Sequence, residues 1–103
     1  MTIILNVSTN DEVMREFGVR LRGYRLRQNR IQGEIARLAG VTPATLVNAE
    51  AGRNVRLESI VRILRALGQL EALNDFLPEP TVSPIQLLAL HGKVRQRARQ
   101  RSQ

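Results

Sequence analysis

QGEIARLAGVTPATLVNAEAG, residues 32–52, contains two short helical patterns separated by a tight turn. The first, residues 32–40, places Ile35, Ala36 and Ala39 at helical spacing and is stopped by Gly40, which can take the positive φ of a turn. The second opens at Thr42-Pro43. The Thr hydroxyl can accept from the free N–H groups of a first turn, and Pro is harmless at the first helical position, where the missing N–H has no partner anyway. This spacing predicts a helix over 43–50 whose segment ends at Gly52, with Val41 and Leu46 pointing inward and the small Ala36 where the two helices cross.

Outward from this unit the chain is helical on both sides. Thr9 with Glu12 three residues on fits a capping box, so a first helix is expected from about 10 to 28 with Val13, Phe17, Leu21 and Tyr24 on its apolar face. Asn29 can end it in the left-handed conformation. Residues 57–68 carry Leu57, Ile60, Val61, Leu64 and Leu67 on one face, a fourth amphipathic helix. A fifth is expected around 69–77, with Leu70, Leu73, Phe76 and Leu77. Pro78 and Pro80 break the chain, Ser83-Pro84 restarts a short helix to about residue 90, and an Arg-rich tail follows. At the other end, TIILNV (2–7) is rich in β-branched residues and reads as a short strand, its partner being the same strand of a second copy, or as a disordered arm. The division is thus an arm over 1–9, a helical domain over 10–77, and a linker, short helix and tail over 78–103.

Composition narrows what such a chain can do. With 103 residues it holds one domain, and with only three aromatics (Phe17, Tyr24, Phe76) the core must be aliphatic. The absence of Cys excludes disulfides and thiolate metal sites, and a lone His91 makes no metal centre. Without a glycine-rich phosphate loop or paired carboxylates, no enzyme and no cofactor are expected. MTIILNV is too short for a signal peptide's apolar region, and a cytoplasmic location is expected. Sixteen basic residues against nine acidic give +7, and the excess is uneven: residues 93–101 hold five positive charges and no acid, leaving +2 for residues 1–92. Such a field attracts polyanions, nucleic acid first among them. Fifteen of the sixteen basic residues are Arg, which suits phosphate recognition but also fits a compositional bias.

Two short helices joined across Ala39-Gly40-Val41-Thr42 form the helix-turn-helix pattern, in which the second helix enters the DNA major groove. With Phe17-Gly18 and Arg20-Leu21-Arg22 before it, Thr45-Leu46, Glu50 and Gly52 within it, and Leu57-Glu58 and Ala66-Leu67-Gly68 after it, the chain resembles the lambda-repressor-like, XRE-type regulators. The likeness runs without gaps from residue 17 to 52 and loosely to 68. It implies an all-α, five-helix domain with a short N-terminal β-strand and a basic C-terminal tail, binding double-stranded DNA at an inverted-repeat operator as a homodimer.

The resemblance also assigns roles. Gln32 matches a residue that contacts phosphate or a neighbouring recognition side chain. Pro43, Ala44, Val47 and Asn48 fall where the family reads bases, and Thr42 and Thr45 flank them at the groove. Asn48 is the best reader, because a carboxamide can bond adenine N6 and N7 together, whereas Pro43, Ala44 and Val47 offer only apolar contact. Arg53, Asn54, Arg30 and Arg56 are placed for phosphates. Arg25 and Glu50 match a buried, structural ion pair between the first and third helices. Two departures stand out: Ile31 occupies the usual capping Thr before helix two, and Arg56 the usual capping Ser before helix four. An irregular start of helix two is expected from the first, and a cap from Asn54, from water or from nothing for the second.

Three surfaces and one likeness remain open in the sequence. Val19 and Leu26 make a second apolar stripe on helix one, either scattered surface hydrophobes or a groove for the N-terminal strand, the C-terminal helix or a partner protein. Leu73 and Phe76 of helix five are candidates for a dimer surface. Lys93, Arg95, Arg97, Arg99 and Arg101 alternate with other residues, so an extended tail would put all five charges on one side, against phosphates; the other reading is a solvated terminus. Finally, LPEP, SPIQLLAL and the Arg-rich end are similar to HipB-like antitoxins, which implies a HipA-like kinase toxin as partner. Against these stand a regulator without a toxin, and a protein-interaction module for which DNA is incidental.

Overall fold

The computed structural model describes residues 2–80. The short helix expected after Ser83 and the basic tail, Lys93 to Arg101, lie outside the described residues. The order is α1 (Asn10–Arg27), α2 (Gln32–Ala39), α3 (Pro43–Glu50), α4 (Leu57–Ala66), a 3₁₀ turn (Leu70–Ala72) and α5 (Leu73–Phe76). The compact unit closes at Leu73, and among the described residues beyond it, Phe76 and Leu77 are exposed.

The first three helices start where their local chemistry places the cap. Thr9 Oγ1 accepts from the Glu12 N–H at 3.1 Å while Glu12 Oε1 accepts from the Thr9 N–H at 3.0 Å, completing the box that starts α1. Thr42 Oγ1 accepts from the Thr45 N–H at 3.1 Å ahead of Pro43. The start of α2 is regular despite Ile31: Glu34 Oε1 accepts from the Ile31 N–H at 3.2 Å, the half of a capping box that needs no hydroxyl. No side chain caps α4, so Arg56 stands there without replacing the Ser. Gly40 ends α2 with φ +71°, and Asn29 sits at φ +55° after α1, both as the turns require.

The core is aliphatic and compact. Leu21, Ile35, Ala36, Ala39, Leu46, Ala49, Ile63, Leu64 and Leu67 are buried in one cluster, with Phe17, Val41, Val55, Ile60, Leu70 and Leu73 packed against it. Gln28 Nε2 donates to the Leu67 carbonyl at 2.7 Å, tying the end of α1 to the end of α4.

Besides the regular start of α2, the fold departs from the sequence expectation at four places. Residues 2–7 form no strand: the Leu5 carbonyl accepts from the Ser8 N–H and Ser8 Oγ accepts from the Leu5 N–H, both at 3.0 Å, turning the chain at Asn6-Val7. A strand needs a ladder partner, and here the Thr2 backbone is held by side chains of α1 instead. On α1, Tyr24 is exposed, because the buried edge runs through Gly18, Leu21 and Arg25 toward α3. On α4 the inward set is Ile60, Ile63, Leu64 and Leu67, the i, i+3, i+4, i+7 rows of one face, while Leu57 in the first turn is exposed. The fifth helix is broken into a 3₁₀ turn and a single α turn.

Candidate nucleic-acid interface

The position of α3 is set by two close contacts with α1 and one ion-pair network. A Cβ on Gly18 would lie 2.4 Å from the Glu50 carbonyl oxygen, and one on Gly52 2.7 Å from Arg15 Cα, so the two backbones approach at distances that only glycine allows. Between them Arg25, 7% exposed, donates through Nε to Glu50 Oε2 at 2.7 Å and through Nη2 to Glu50 Oε1 at 3.0 Å. Its Nη1 donates to the Arg30 carbonyl at 2.8 Å. Hydrogen bonding to Glu50 pushes the Arg25 pKa further up against the opposing effect of burial, so the guanidinium stays charged. The fork thus joins α1, α3 and the turn before α2, a structural use of charge.

Gln32 belongs to the same network. Its Nε2 donates to Glu50 Oε1 at 3.1 Å, which consumes one amide donor and fixes the residue at the edge of α3. Only the remaining N–H and the carbonyl are left to turn toward a ligand.

The opposite side of α3 is free. Pro43, Ala44 and Val47 are exposed, and Asn48 beside them is half-buried. Thr42 and Thr45 have their hydroxyls 2.9 Å apart, so one donates to the other at the N-terminal end of the same surface. Thr45, Asn48, Asn54 and Arg56 line one open concavity with Val55 and Ser59, where α3 meets the start of α4. Arg53 leaves α3 over this surface: its N–H donates to the Asn48 carbonyl and its Nη1 to Asn48 Oδ1, both at 2.9 Å. On the other flank Val47 shares a shallow concavity with Arg22, Arg25, Gln32, Glu50 and Ala51.

Most of the residues expected at the interface therefore border α3, while Arg30 lines neither concavity and reaches the second only through its carbonyl, which accepts from Arg25. Val19 and Leu26 are exposed on α1, Leu73 is half-buried against its own core, and Phe76 is exposed. Sequence reasoning passed over Arg22, Ser59 and Glu16. Arg22 lies one turn before Arg25 on the same edge of α1, a spacing that would have found it. Glu16 gave no such signal, because the backbone it holds, that of Thr2, lies 14 residues away in the chain.

Residues 16–77 match the model of a family described as a helix-turn-helix domain, more than half of the chain, and the protein belongs to this XRE-like helix-turn-helix family. No curated protein matches the sequence. Among the described residues no helix is long and apolar enough to cross a membrane, and no cluster of His, Cys, Asp and Glu could hold a metal ion.

Proposed function

We propose that the protein is a sequence-specific DNA-binding repressor. The observation that carries this reading is the two-sidedness of α3 in a helix-turn-helix protein: an inner edge locked to α1, and an outer face of Pro43, Ala44, Val47 and Asn48 open to solvent and flanked by Arg53, Asn54 and Arg56. The outer face would enter the major groove. Guanidinium contacts to phosphate would supply most of the affinity, with the basic tail following the backbone, so binding should weaken steeply with salt. The protein would work in the cytoplasm, on the nucleoid, without catalytic chemistry or a cofactor. As a homodimer it would set two α3 helices about 34 Å apart on an inverted repeat. The likeness of LPEP, SPIQLLAL and the Arg-rich end to HipB-like antitoxins supports a finer reading, in which the operator is its own promoter and a HipA-like kinase toxin its partner; a regulator without a toxin shares the same DNA surface. The exposure of Val19 (58%) and Leu26 (51%) on α1 favours, as a second reading, a module that docks another protein.

Fluorescence anisotropy with DNA from upstream of its own gene and with a scrambled duplex, each at two salt concentrations, tests these readings. The repressor reading expects a large preference for the upstream fragment, at half-sites one helical turn apart. Equal, salt-sensitive binding to both would mean that charge alone supplies the affinity, and the interaction module would take its place. Co-purification from the native operon separates antitoxin from stand-alone regulator, since only the antitoxin brings down a kinase.

A further inference from the structure

The one carboxamide on the outer face of α3 is already engaged. Arg53 Nη1 meets Asn48 Oδ1 at 2.9 Å, and because a guanidinium carries donors only, the atom it meets must be the oxygen. The carboxamide is thereby oriented, with Nδ2 left to donate. The contact is braced from behind: the Arg53 N–H donates to the Asn48 carbonyl, and Gly52, the residue before Arg53, runs at φ +79° against the Arg15 backbone, so the course of the chain over α3 is fixed.

This orientation bears on which base the residue can read. The two-bond pairing of Asn with adenine needs Oδ1 to accept from N6 while Nδ2 donates to N7. Here one of the two Oδ1 lone pairs holds a charge-assisted bond to a cation, so the pair is weighted toward donors: the Nδ2 amino group and the remaining guanidinium N–H groups, against a single remaining Oδ1 lone pair. Guanine offers two neighbouring acceptors in the major groove, N7 and O6, whereas adenine sets a donor beside its single acceptor. We infer that Asn48 and Arg53 act as one donor-rich reading unit that selects guanine over adenine, Arg53 being the positioning residue that occupies one Oδ1 lone pair and sets the polarity of Asn48. The inference rests on the DNA-binding reading above and adds to it the base and the second residue.

Selection of bound sequences from a pool of randomised duplexes by the full chain tests it, with wild type, Arg53→Met and Asn48→Ala run in parallel. Arg53 is exposed, so its replacement should leave the fold and melting temperature unchanged. Wild type is expected to enrich guanine at the position whose preference Asn48→Ala erases. Arg53→Met, which frees Oδ1, is expected to turn that preference toward adenine by at least about fivefold, the lower end of what one bidentate pair discriminates. Adenine at that position in the wild type would overturn the inference. So would a uniform loss of affinity in Arg53→Met with the guanine preference intact, since Arg53 would then serve a phosphate only. If the wild type enriches no sequence at all, the repressor reading itself falls, and the inference with it.

Discussion

The two edges of α3 use similar chemistry for opposite ends. On the inner edge Leu46 and Ala49 are buried and the Glu50 carboxylate accepts three hydrogen bonds, two from Arg25 and one from Gln32. On the outer edge Asn48 and Arg53 make one hydrogen bond between side chains and keep spare donors facing solvent. Each edge pairs an Arg with an oxygen acceptor, so residue type does not separate structure from readout. The degree of engagement does: the inner carboxylate accepts three bonds within the fold, whereas the outer pair shares one side-chain bond and keeps most of its donors.

Breaking the inner edge should have the largest effect. Glu50→Ala leaves the Arg25 guanidinium buried without its counter-charge and releases Gln32, and should cost about 3–5 kcal/mol of folding stability, read by urea denaturation. Any loss of DNA binding would then track the unfolded fraction. Gly18→Ala attacks the same edge through sterics: the new Cβ would meet the carbonyl oxygens of Glu50 and Ala49, backbone atoms that move only if α3 moves. A loss of about 1–3 kcal/mol is expected, by the same measurement. If Gly18→Ala is neutral, α1 and α3 are less closely locked than their backbones indicate.

The inner edge was the more legible of the two from sequence. Pro43, Gly40 and the Thr9 and Thr42 caps determine helix boundaries through local hydrogen bonds and backbone sterics, which a sequence states directly. The pattern from Phe17 to Gly52 also carried the Arg25–Glu50 pair. What depends on a third party was not legible. TIILNV has the composition of a strand, but a strand is a property of two segments, and the Thr2 backbone found side chains first. Tyr24 and Leu57 have the spacing of core residues and are exposed, because helical periodicity defines a face without saying how far along the helix its neighbours reach. The resemblance implies DNA contacts at Gln32 and Asn48, yet no spacing rule announces that Glu50 and Arg53 would bind them.

On the outer edge the signs should reverse. Asn48→Ala removes no buried contact between helices, so its folding stability should stay within about 0.5 kcal/mol of wild type. Its affinity for the selected duplex should fall by about 1–3 kcal/mol, measured by anisotropy, with little change on a scrambled duplex. A variant that loses stability in proportion to affinity would place Asn48 with the inner edge, and the contrast between the two faces of α3 would disappear.

The smallest effect sharpens the comparison at a third charged site, where the N-terminal arm meets α1. Glu16 is only 5% exposed, yet its partners are an exposed arm and a partly exposed cation: it accepts from Arg20 Nε at 2.9 Å and from the Thr2 N–H at 3.2 Å, while Arg20 Nη2 donates to the Thr2 carbonyl at 3.1 Å. The bond from Arg20 first, and that from Thr2 less, hold the Glu16 carboxyl below its ordinary value of 4.5, against the opposing effect of burial. The folded state therefore binds its proton less readily than the unfolded chain does. The contribution of Glu16 is complete above the ordinary carboxylate range and is lost as the pH falls through the lowered value. Glu12 shifts the same way through the Thr9 backbone N–H, so acid should weaken the arm and the start of α1 together. Glu16→Gln keeps an oxygen for the Thr2 N–H and discards the charge. Urea midpoints measured from neutral pH down to pH 3 should fall less steeply for this variant than for wild type, with Glu12 contributing to the slope that remains. Parallel curves would mean that the ionised carboxylate holds the arm no better than a neutral amide, and that Glu16, unlike Glu50, carries its charge without structural use.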